Sequence, residues 1–256
     1  MEQQPQRRGV VFTVMIWLFA VASFGGLLGF SVFTAWFDSS DGGIHRVHYM
    51  GFGVLYGVLF TTAFVVMNWK PEQKISAFYQ ILDVGIATLI GAAVATSGAA
   101  ATFGIIIVVV CAIVFALHPY RALLTHPPRE GFSALLMALT VGGAIPLIWF
   151  ALSSARLQRT GFALDPHVKN DHWTLMASMA FGVVLVAFLS AFKFPGWKIS
   201  AWCAGAGLSL YGLISTVYPH RAGSEGTGWG LAALFGGFVF SLAAQWETRP
   251  LPGSQT

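Results

Sequence analysis

The chain has 256 residues, 56% of them hydrophobic and 9% charged, with a mean hydropathy of +0.70 and a formal net charge of +4. A soluble domain carries about 25% charged residues. These figures exclude an ordinary cytosolic protein, a disordered chain and a disulfide scaffold, and they fit an all-α, polytopic transmembrane helix bundle.

Arg7-Arg8 precede an apolar run from Val10 to about Phe33. A signal peptide has a core of about 7–15 residues; this run is longer and is read as a retained first span. Eight spans are predicted in all, roughly over 10–36, 46–69, 76–96, 103–118, 131–153, 172–193, 199–218 and 228–246. Between them lie breakers: the Asp38–Gly43 segment, Pro71, Gly98, Pro119, Pro127-Pro128, Pro195-Gly196 and Pro219. The fourth span is the shortest, and Pro146 predicts a kink in the fifth. Cys111 and Cys203 both fall inside apolar runs and form neither a disulfide pattern nor a metal-ligand spacing.

With the N-terminus inside, nine basic residues fall on the inner side: Arg7, Arg8, Lys70, Lys74, Arg121, Arg129, Lys193, Lys198 and Arg249. Five fall outside: Arg46, Arg156, Arg159, Lys169 and Arg221. The excess orients both termini to the cytoplasm of a cell-membrane protein. Trp36, Trp173 and Trp229 mark outer helix ends; Trp69, Trp197 and Trp246 mark inner ones. The basic excess is thus a topology signal and predicts no nucleic-acid partner. The expected partners are the lipid bilayer and either a second copy or a subunit of a membrane complex.

Sliding the chain by 124 residues aligns Ala63–Ala77 with Ala187–Ala201, with seven of fifteen positions identical and no gap. About one or two matches are expected from so biased a composition. The same offset pairs His48 with His172 and Ser76 with Ser200. This predicts an internal repeat: a first four-helix repeat over 1–128, a second over 129–247, and a cytoplasmic tail over 248–256. Four spans per half is an even number, so the halves would run parallel about an axis along the membrane normal. The small residues of spans three and seven, with Gly25/Gly29 and Gly53/Gly57 in GxxxG spacing, predict close helix contacts, and place spans three and seven at the bundle centre.

Five of the seven histidines fall on the outer side: His45, His48, His167, His172 and His220. His45 and His48 share a helix face at i and i+3. Asp171 precedes His172, where it is either a ligand or a helix cap. Imidazole and carboxylate together are good ligands for zinc, copper or iron. His45, His48, His167, His172 and Asp171 are therefore the candidates for a metal or haem site between the halves; the alternative is a structural set of span-end side chains. Asp83 is the one acid inside a span, roughly 10 Å from its end. A carboxylate at that depth points to function by default. It is the candidate proton carrier, or else packing glue bonded to a hydroxyl such as Tyr56, Tyr211 or Thr61.

No lysine lies mid-span, and no Walker motif, GxSxG or CxxC occurs. Three readings stay open: a non-catalytic bundle or membrane-complex subunit, a proton-coupled secondary transporter using Asp83, and a metal- or haem-binding redox protein with an outer histidine site.

Overall fold

The computed structural model describes residues 3–26, 29–37 and 39–247, with residues 3–8, Ser40 and Asp41 described by their backbone only. Glu2, Asp38, Arg249 and the expected tail 248–256 lie outside the described residues. Among these the chain is all-helical, with no strand and eight helices long and apolar enough to cross a membrane. We number them α1 (Gly9–Phe37), α2 (Arg46–Met67), α3 (Ile75–Ala95), α4 (Gly98–Leu117), α5 (Ala134–Thr160), α6 (His172–Ala191), α7 (Trp197–Val217) and α8 (Gly226–Trp246).

Several elements differ from the sequence-based expectation. α1 is interrupted: an α-helix ends at Val21, a π-helical turn covers Ala22–Gly26, and a helix resumes over Ser31–Phe37. α2 has a π-helical middle, Gly53–Thr61. The two π segments meet where the Ser23 and Thr61 hydroxyls stand 2.8 Å apart, and Thr61 also donates to the Tyr56 carbonyl at 2.6 Å. α4 is a full span, because Ser97 accepts from the Ala100 N–H (3.1 Å) and starts the helix five residues before the expected position. α5 starts from the Ser133 cap and runs unbroken through Pro146.

The bundle centre is formed by α2 and α6, of whose spans 72% and 78% are buried, against 56% for both α3 and α7. The expectation that α3 and α7 lie innermost is corrected. Small residues permit close approach wherever two helices meet, and here they serve lateral pairs as well. Gly205 and Gly212 of α7 admit Ser241 and Leu234 of α8, and Gly91 of α3 admits Ser178 of α6. Gly57 of α2 abuts the Gly29 carbonyl of α1, so the two GxxxG pairs do meet. The packing partners correspond between the halves: α3 lies on α4 as α7 lies on α8, and α3 lies on α6 as α7 lies on α2.

At the end of the bundle opposite the histidines, Ser76 and Ser200 share a 2.7 Å hydroxyl contact, and the Ser76 N–H donates to the Pro195 carbonyl (2.9 Å). Lys193 forms an ion pair with Glu247, which also accepts from Ser133 (2.7 Å). Partial burial pushes the Glu247 carboxyl up, but the bonds from Lys193 and Ser133, with the lysine charge, outweigh it and hold the group below its ordinary range. Its stabilisation is therefore complete at neutral pH and is lost as pH falls through the lowered value. We expect Glu247→Gln to cost about 1 kcal/mol, a melting shift of about 2–4 °C, at neutral pH. In the acid limb, where the native carboxyl is itself protonated, we expect the difference to vanish. Thermal unfolding at both pH values measures this, and a shift of equal size at both would refute it.

Candidate metal centre

His45 stands at the N-cap position of α2, and His48 lies in its first turn. Arg46 fixes this turn: its guanidinium donates to the Trp36 carbonyl (3.0 Å) and to the Tyr218 hydroxyl, and stacks 4.8 Å from the Tyr218 ring. His167 lies in a short helix, Pro166–Lys169, that begins with proline at its first position and Asp165 as its cap. His172 opens α6 immediately after Asp171, whose backbone is left-handed (φ 55°).

These four histidines converge. One ligand atom from each lies within 4.8 Å of every other. All six pairs of ring centroids are close: 4.7 Å for His48–His167, 4.8 Å for both His45–His167 and His45–His172, 5.2 Å for His48–His172, 5.7 Å for His167–His172 and 6.4 Å for His45–His48. Four imidazoles bound at about 2.0–2.1 Å to one tetrahedral ion would have centroids about 5 Å apart. The observed set clusters around that value.

The rings are buried: His48 is 0% exposed and the least buried, His172, is 9% exposed. Both ring nitrogens of His48, Nδ1 of His172 and Nε2 of His167 have no hydrogen-bond partner. Burying a polar nitrogen without a partner is costly, and native interiors nearly always satisfy such atoms. Four imidazoles at one point cannot satisfy one another, since each neutral ring brings one donor and one acceptor of fixed direction. A cation bound by one lone pair from each ring would give His48, His167 and His172 a partner.

Asp165 orients one ligand. Its Oδ1 accepts from the His167 backbone N–H (2.8 Å) and from Nδ1 (2.9 Å). The backbone bond, chiefly, and the ring bond hold the Asp165 carboxyl below its ordinary range. Donation from Nδ1 leaves Nε2 of His167 with the free lone pair, the carboxylate–histidine arrangement of metal sites. An aromatic collar closes the site: Trp173 lies 4.8 Å from His48, Phe52 lies 5.2 Å from His172, and Tyr49 lies 5.9 Å from His45.

Asp171 is not in the group: its carboxylate accepts from the Thr174 hydroxyl (3.3 Å), and it provides no side-chain cap to α6. His220 is exposed and outside the cluster. His118 and His126 belong to the segment after α4. Burial drives the His118 pKa down to about 4, with Nδ1 accepting from the Tyr120 N–H (3.1 Å).

Asp83 stands apart from all of this. Its Oδ2 is buried without a hydrogen bond. Of the three hydroxyls expected near it, those of Tyr211 and Thr61 are bonded elsewhere, and that of Tyr56 is buried without a hydrogen-bond partner. Tyr211 donates to the Gly223 carbonyl (2.9 Å), Thr61 bonds to the Tyr56 carbonyl, and the Tyr56 ring packs edge-on against Phe103 (5.2 Å). Asp83 lines none of the three cavities described.

Sequence reasoning missed Asp165 as an orienting group and Trp173 and Gly223 as walls of the site. The Asp165-Pro166-His167 run carries a signal for the first, since Asp before Pro starts a helical turn whose first free N–H groups the carboxylate caps. Comparison of the chain with known protein families, curated proteins and solved structures finds no match.

Because Asp83 has no bonding partner to lose, we expect Asp83→Leu to raise the melting temperature of the purified protein. A fall of several degrees would reveal a partner and count against this reading.

Proposed function

We propose that the protein is a multi-pass membrane metalloprotein that holds one closed-shell transition-metal ion, zinc above all, between His45, His48, His167 and His172. The observation that carries this reading is the convergence of four buried imidazoles, with ligand atoms within 4.8 Å of one another and ring centroids 4.7–6.4 Å apart. Zinc has no geometric preference from its d electrons and takes four nitrogen ligands in a closed tetrahedron at structural sites. Four protein ligands leave no open position for a substrate water. The reading is therefore of a metal-bearing, non-catalytic bundle rather than a hydrolase.

Two further features belong to the proposal. The halves are parallel repeats about an axis that passes near His48/His172 at one end and Ser76/Ser200 at the other. Both pairs are separated by 124 residues, both are in contact, and the helix partners correspond between halves. Two ligands come from each half, so the ion ties the halves together. Both termini lie in the cytoplasm, which puts the site on the outer face; the excess of basic residues supports this. The proton-carrier reading of Asp83 has less support, since the carboxyl lines no described cavity.

Elemental analysis of protein purified without added chelator should find about one zinc per chain, and His172→Ala should lose it while remaining monodisperse. Asp165→Asn should keep the site but weaken zinc binding by about 10–100-fold in competition with a chelator. Metal-free protein that cannot be loaded with zinc or copper would refute the proposal.

A further inference from the structure

At the histidine end of the bundle a cavity of about 280 Å3 opens between the end of α5, the start of α6 and the loop joining α7 to α8. Its walls include Ser153, Trp173, His220, Arg221, Gly223 and Glu225. Two of these also touch the metal centre. Trp173 packs on His48, and Gly223 sits so close that a side-chain carbon added there would lie 3.3 Å from Cε1 and 3.4 Å from Nε2 of His48. Gly223 thus lines the cavity and lies against the His48 ring at the same time.

The loop is held in this position. Gly223 is left-handed (φ +87°), its carbonyl accepts from the Tyr211 hydroxyl (2.9 Å), and Ser224 donates to the Ser215 carbonyl (3.1 Å). His220 and Glu225 bring ligand-type groups to the same cavity, and the Arg221 charge offsets that of Glu225. No net charge remains to trap a cation or to repel it.

We propose that this cavity is the port through which zinc enters and leaves the four-histidine site. His220 and Glu225 act as transient ligands, and Gly223 is the gate. The inference rests on the zinc reading above and adds a route to it. It gives a role to His220, the one outer-side histidine that the centre does not use.

The test uses the full chain, zinc-loaded in detergent, with release to EDTA and reloading followed by elemental analysis over time. Ser153→Trp fills the cavity without touching a ligand. The expected result is unchanged zinc content, with release and reloading slowed by about tenfold, since transfer past the obstructed port becomes the slow step. His220→Ala combined with Glu225→Gln should slow reloading several-fold at unchanged content.

Rates equal to those of the parent in a folded Ser153→Trp protein would overturn the port. If that variant is not monodisperse, Ser153→Cys replaces it. Cys111 and Cys203 are buried, so a bulky methanethiosulfonate is directed to the new thiol, and one preparation is compared before and after labelling. Equal rates there overturn the port as well. A parent that takes up no zinc overturns the metal reading itself, which separates the two failures.

Discussion

A buried imidazole nitrogen must find a partner, and this constraint governs the histidine end of the bundle. Four rings less than a tenth exposed bring a ligand atom each to within 4.8 Å of one another, with an aromatic collar around them. His48, His167 and His172 each keep a ring nitrogen without a partner. On the proposed function a bound cation would supply that partner, and the low dielectric of the collar would strengthen each bond that it makes. Asp165 completes the arrangement by settling which nitrogen of His167 keeps its proton.

The rest of the fold positions these rings. α2 and α6 lie innermost, and each delivers a histidine from its first turn. The other two ligands come from the segments that immediately precede those helices. Arg46 locks the first of these segments to α1 and α7, while the Asp165 cap shapes the second. At the other end the Ser76–Ser200 contact and the Lys193–Glu247 pair hold α3, α7, α5 and α8 in register. On the proposed repeat, the same two positions of an ancestral half face each other at both ends of one axis. A metal near such an axis needs only one or two ligands from each half.

Much of the helix packing rests on absent side chains. Gly57 against Gly29, Gly91 against Ser178, and Gly212 against Leu234 each bring a backbone where a Cβ would collide. In an apolar solvent, close van der Waals contact of this kind replaces the hydrophobic effect as the force between helices. Gly223 uses the same property differently, keeping a loop against a ligand ring while leaving space beside it.

The sequence by itself determined the eight apolar helices, because span length and polar breakers are local properties that the chain carries segment by segment. It also put His45 on a face with His48 and, on the proposed repeat, gave His48 and His172 equivalent places, since both readings follow from spacing alone. It could not show that α2 and α6 would be central, because small residues mark close contacts without saying which neighbour makes them. Nor could it separate His167 from His220, or name Trp173 and Gly223 as walls beside His48. Those choices depend on where loops far apart in the chain are brought together. Only the tertiary structure decides that, by packing helices whose sequences record how they pair with their own turn but not with each other.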